Sequence, residues 1–174
     1  MIALLLLLVE YVIFEAASAA AESLDAMRAV EGEKLKEDLL MRGELIRDIV
    51  RNIEVRAPLV VKDYTEKLYN RIKELTDGAV DVPEDRILME AAVFADKSNI
   101  TEELVRLDSH MIQLRKILTS ETSPVGKKLD FLVQEMNREA NTIGSKANFL
   151  DITNTVLDIK SEIEKIREQV QNIE

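Results

Sequence analysis

An all-α fold, an extended multi-helix domain closing on a long coiled-coil-like helix, is what this sequence predicts, and three observations predict it. The 174 residues contain only 5 Gly and 3 Pro, with Leu, Ile, Glu, Lys and Arg abundant, a composition suited to long helices with few turns. Apolar residues recur at steps of three and four through most of the chain, and no segment alternates as strands do. The last stretch carries the cleanest pattern: Ile152, Val156, Ile159, Ile163, Ile166, Val170 and Ile173 form a heptad seam of β-branched residues.

The elements follow in order. Residues 1–23 read as an apolar N-terminal helix, a linker or the remnant of an upstream domain, and 24–174 as the helical domain proper. The opening run to Val9 followed by Ala-rich 16–21 has the outline of a secretory signal. No Lys or Arg precedes it, however, and Glu10 and Glu15 interrupt the length a membrane span needs. A helix covered by partner helices, of this chain or of another subunit, is the better reading, and no stable membrane association is expected. Gly32 predicts a break. From about Glu33 a helix runs toward Thr76, with Leu35, Leu39, Leu45, Ile46, Ile49 and Ile53 on its apolar face, and Pro58 is expected to kink or end it. Asp77-Gly78 reads as a turn and Asp81-Val82-Pro83 as the start of a helix over about Glu84–Lys97. Asn99 or Thr101 starts the next, whose buried side is Leu104, Leu107, Met111, Leu114 and Leu118. After a short polar loop at 120–123, Pro124 opens a helix with the stripe Val125, Leu129, Leu132, Val133, Met136, Ala140 and Ile143. Six or so helices result.

Charge and residue types exclude several functions. A formal charge of −10 argues against a general nucleic-acid coat, though it leaves room for a local basic patch or for carboxylates that bind a divalent cation. The absence of cysteine excludes disulfides, thiolate chemistry and Cys-based zinc sites, and fits a reducing interior. No phosphate-binding glycine loop, G-x-S-x-G elbow or H-E-x-x-H motif is present.

Polar chemistry concentrates in two stretches. On the helix after Pro124, Asp130, Gln134, Asn137, Arg138, Asn141 and Ser145 follow three- and four-residue steps. Asn is a mediocre mid-helix residue, so that face reads as built to touch something polar. Glu135 and Glu139 lie one turn apart and can share a side with Lys128 and Lys146; two carboxylates, with His110, would suit Mg²⁺ or Mn²⁺. Ordinary i,i+4 ion pairs account for the same spacing. The solitary His110 shares a face with Arg106 and Glu103, where an imidazole could act as acid/base or ligand. A lone helical histidine is more often a satisfied structural residue. Arg106, Lys127, Lys128, Arg138 and Lys146 would offer phosphate contacts.

The strings GKKLDFLVQEMNREANTIGSK (126–146), ADKSNITEELVRLDSH (95–110), MRAVEG (27–32) and the closing IREQVQNIE (166–174) resemble the C-terminal region of the YicC family of bacterial endoribonucleases. The resemblance runs from about Ala20 to the end. It implies a cytoplasmic, metal-dependent endonuclease acting on RNA, assembled as a ring-like homo-oligomer, with a hexamer expected. Family members carry a further N-terminal domain ahead of this region, and here Met1–Glu15 stands in its place. The chain is therefore expected to be truncated, and inactive alone if that domain supplies catalytic groups. The resulting assignment gives catalytic roles to His110, Glu135 and Glu139, and metal contacts to Glu103, Asp130, Glu135 and Glu139. RNA contacts fall to Arg106, Lys127, Lys128, Arg138, Asn137, Asn141, Ser145 and Lys146, with single-stranded RNA as partner. The competing expectation is a structural domain, its polar helix and heptad arm serving assembly within a larger RNA-binding complex.

Overall fold

The computed structural model describes residues 2–77, 83–120, 124–147 and 149–173. They form five helices: α1 (Ile2–Leu75), α2 (Glu84–Lys97), α3 (Thr101–Ser120), α4 (Gly126–Lys146) and α5 (Leu150–Val170). No strand occurs among the described residues, so the all-α expectation holds. The expected features at Gly78, Asp81-Val82 and 121–123 lie outside the described residues. Two compact units are present, residues 1–39 and 40–174.

Residues 2–39 are helical, and Leu7, Leu8, Tyr11, Ile13 and Phe14 are exposed, whereas Leu39 at the end of this unit is buried. No helix among the described residues is long and apolar enough to cross a membrane.

Two expected interruptions are absent, because α1 passes through both Gly32 and Pro58. A glycine costs a helix interior only about 1 kcal/mol, which good helix formers on either side offset. An interior proline costs about 3 kcal/mol through the lost hydrogen bond and the ring clash. The anchoring of the helix on both sides of Pro58 opposes that cost, for Ile53 and Val60 are both buried. Among the described residues this leaves five helices where six or so were expected.

In the second unit α4 is the central element, packed against α3 on one side and α5 on the other. Every residue of its predicted stripe from Leu129 to Ile143 is buried. The seam of α5 is buried as well, from Ile152 through Val170. Close approach between helices occurs where side chains are missing. A Cβ at Gly43 would sit 3.3 Å from Leu114 on α3, and one at Gly144 would sit 3.3 Å from Val156 on α5. The C-terminal part of α1 is tied to these helices by ion pairs: Arg47 to Asp108 at 2.7 Å, Arg115 to Glu44 at 2.5 Å, and Arg42 to Glu162 at 2.8 Å. Tyr64 and Phe94 stack with ring centroids 3.8 Å apart, joining α1 to α2. At the start of α3 the backbone N–H of Thr101 donates to the Asn99 side-chain oxygen, so Asn99 supplies the local turn and Thr101 is the first helical residue.

Glu162 is buried between Arg42 and Lys165. The Lys165 hydrogen bond, opposed by burial and reinforced by Arg42, holds its carboxyl below the usual range. A carboxylate whose folded pKa is depressed stabilises the fold above its unfolded pKa and loses that contribution as pH falls through the folded value. We therefore expect Glu162→Gln to lower the unfolding free energy at pH 7 by about 1–2 kcal/mol. The difference from the unsubstituted chain should shrink below about pH 4, as read by urea titrations at several pH values. Ile163→Ala, which empties a fully buried position, should cost about 2–4 kcal/mol in the same titrations at any pH.

Candidate metal centre

The site is built by the pairing of α3 with α4. Lys146 near the end of α4 meets Glu103 near the start of α3 at 2.7 Å, and Arg106 approaches Glu139 at 3.6 Å. His110 then meets Glu135 and Glu139, and Ile117 lies across from Lys127 and Lys128 around one cavity. As position rises along α3 it falls along α4, so the two helices are antiparallel, and residues three, four and seven apart on each face their partners in register.

At the middle of this pair His110, Glu135 and Glu139 each offer a ligand atom, all within 4.8 Å of one another. Two ligands facing each other across a small divalent ion lie about 4 Å apart, so small side-chain rotations suffice to close the group on one cation. The electrostatics favour a cation here. The Glu139 side chain is only 6% exposed, and the cation nearest it, Arg106, is itself half exposed and also pairs with Glu102. A buried carboxylate without full compensation is costly. The Nδ1 atom of His110 is buried and has no hydrogen-bond partner among the described residues, an available donor or acceptor of the kind that seldom goes unused. The donor set of one imidazole and two carboxylates fits a borderline-to-hard divalent cation.

Other residues singled out from the sequence are placed elsewhere. Glu103 is buried and paired with Lys146, which also donates to the backbone oxygen of Asn99. Burial pushes the Glu103 carboxyl up, but the Lys146 hydrogen bond and neighbouring charges outweigh it and hold the pKa below the usual range. Glu103 thus locks the end of the helix pair and lies outside the three-residue group. Asp130 accepts a hydrogen bond from Gln134 at 2.8 Å and is likewise outside it. Arg138, Asn141 and Ser145 are exposed and Asn137 is half-buried. At 100° per residue Asn141 lies about 120° around α4 from Glu135, so the polar stripe and the cluster are different faces of one helix.

A cavity of about 410 Å³ adjoins the cluster and shares His110 and Glu135 with it. Lys127, Lys128 and Phe131 of α4 and Gln113 and Ile117 of α3 line the rest. Phe131, Gln113 and Ile117 were not identified from the sequence. Phe131 was detectable, because it is an aromatic residue standing off the apolar stripe of its helix.

The fold and this group define an all-α protein whose central helix hairpin presents an imidazole and two carboxylates beside lysines. Comparison with known proteins places it further. Residues 53–174 match the family described as "Endoribonuclease YicC-like, C-terminal", and the chain belongs to that family. It is 53% identical over 148 residues to a Clostridioides difficile protein named "Probable endoribonuclease YicC". It is 36% identical over 149 residues to a Haemophilus influenzae protein of the same name. These alignments cover 85% and 86% of this chain, whereas the chain spans about half (50%) of each relative's length.

If the three side chains act together, His110→Ala and Glu139→Gln should each weaken Mn²⁺ binding at least about tenfold by titration calorimetry. Asp130→Asn should leave it unchanged.

Proposed function

We propose that this chain carries the metal centre of an endoribonuclease that cleaves RNA phosphodiester bonds, with Mn²⁺ or Mg²⁺ held by His110, Glu135 and Glu139. The observation that supports this reading is the convergence of those three ligand atoms within 4.8 Å in a helical hairpin of a YicC-like chain. A divalent cation bound there would lower the pKa of water and offset charge on the phosphate being cleaved. Glu135 and Glu139 position that cation and the water beside it. Arg106, paired with Glu139 at 3.6 Å and half exposed, would be able to leave Glu102 for a phosphate oxygen. Lys127 and Lys128 supply positive charge at the cavity rim within an acidic chain. Lys146, engaged by Glu103, contributes mainly to holding α3 against α4. Asn137, Arg138, Asn141 and Ser145 form a separate polar face, suited to ribose and base edges of an RNA strand passing around α4. The substrate is single-stranded RNA, the location is the cytoplasm, and the working form is a homo-oligomer of hexameric size.

A second reading, assembly within a larger RNA-binding complex, is favoured by the exposed apolar side chains of residues 7–14. Light scattering tests it: substitution of Tyr11 and Phe14 by Ser should reduce the assembled mass if this run joins subunits.

For the nuclease reading, a labelled single-stranded RNA incubated with the chain and Mn²⁺ should be cut internally, and EDTA should stop the reaction. His110→Ala, Glu135→Ala and Glu139→Ala should each lower the rate by about 100-fold or more. Undiminished cleavage by these variants would discard the site, and no cleavage by the unsubstituted chain would discard activity of this chain on its own.

A further inference from the structure

We infer that the cavity beside the cluster is a nucleotide subsite, in which the Phe131 ring stacks on one base of a single-stranded RNA while Lys127 and Lys128 hold the adjoining phosphate. This inference rests on the ribonuclease reading above and names how the strand is gripped.

The argument begins with an apolar surface that the fold does not use. Leu129, Leu132, Val133, Met136 and Ile143 of α4 are all buried, yet Phe131 is 64% exposed. It stands on the flank of α4 that leads from Lys127 toward Glu135. A ring of that size left in water is a loss unless something covers it. The surroundings select the occupant. The space before the ring is about 410 Å³, at the small-ligand end of the range for binding pockets and large enough for one nucleotide unit. Its rim carries Lys127, which is exposed and has no ion-pair partner among the described residues, and Lys128 one residue on. An aromatic platform next to cations is the combination that holds single-stranded nucleic acid, since every base has a π-face and every linkage a negative charge. An apolar protein segment would gain nothing from the lysines. Gln113, across the cavity on α3, offers an amide to a base edge.

Position links the subsite to the cluster. His110 and Glu135 line both, so a base on Phe131 places a neighbouring linkage of the same strand at the three ligand atoms. The subsite thereby sets which linkage is presented. Its specificity is for an unpaired nucleotide, because a base stacked within a duplex has no free face to offer the ring.

The test measures binding of a labelled single-stranded RNA by fluorescence anisotropy in EDTA, where no cleavage intervenes. Phe131→Ala should raise the Kd about 5- to 100-fold, and Phe131→Trp should keep it or lower it. An RNA carrying an abasic residue at the stacking position should bind the unsubstituted chain and Phe131→Ala equally. Lys127→Gln should weaken binding and flatten its salt dependence by about one ion. Mn²⁺ binding by Phe131→Ala, measured separately, should match that of the unsubstituted chain.

The inference is overturned if Phe131→Ala binds RNA as tightly as the unsubstituted chain. It is equally overturned if that variant changes the assembled mass in light scattering, which would make Phe131 a subunit contact. The two readings fail separately. Loss of binding in Phe131→Ala with no cleavage by the unsubstituted chain keeps the subsite and removes cleavage by this chain on its own. Cleavage with unchanged binding does the reverse.

Discussion

The antiparallel packing of α3 on α4 is the constraint from which the rest follows. Leu104, Leu107, Met111 and Leu114 on one helix, and Leu129, Leu132, Met136 and Ile143 on the other, are removed from water, each burial contributing about 1.5–3 kcal/mol. That apolar interface fixes the register, and the register brings Glu103 to Lys146, Arg106 to Glu139, and His110 to both glutamates. A slip of one turn would break every one of these pairings while leaving the helices themselves intact. The polar site is thus a consequence of apolar packing, held at one end by the half-exposed Lys146 on a buried Glu103 whose pKa is depressed.

The same interface explains why the centre carries unspent electrostatic potential. Structural glutamates in this protein have close cationic partners: Glu162 has Arg42 and Lys165, and Glu44 has Arg47 and Arg115. Glu139 differs, being buried with a single guanidinium at 3.6 Å that another carboxylate shares. With Glu135 and an imidazole nitrogen lacking a partner beside it, the arrangement is poor as a stabilising network and well suited to a cation. The cost of assembling these groups is met elsewhere, by the seam of α5 and the stripe of α4.

How much of this was legible in the sequence depends on the kind of signal. Periodicity located the buried sides of α3, α4 and α5, because helical spacing and burial obey the same geometry, and only the end residues Leu118, Val125 and Ile173 are half-buried instead. Breaker residues misled. Gly32 and Pro58 were read as interruptions, and α1 runs through both, since local cost yields to packing on either side. The one-turn spacing of Glu135 and Glu139, and the position of His110 in a helix rich in charge, identified the cluster's members, but the sequence held no information on register between α3 and α4. Without it, Glu103 and Asp130 stayed among the metal contacts behind Glu135 and Glu139, and the register places both outside the group. Phe131 passed unnoticed, although its position off the apolar stripe of α4 was the informative fact.

The central claim is that His110, Glu135 and Glu139 act as one ligand set. Anomalous diffraction at the manganese edge, from crystals of the chain grown with Mn²⁺, measures this without reference to catalysis. The account predicts a single strong peak between α3 and α4, about 2.2 Å from one oxygen of each glutamate and from one imidazole nitrogen. A site that stays empty at millimolar Mn²⁺, with His110 and Glu139 hydrogen-bonded to each other instead, would contradict it.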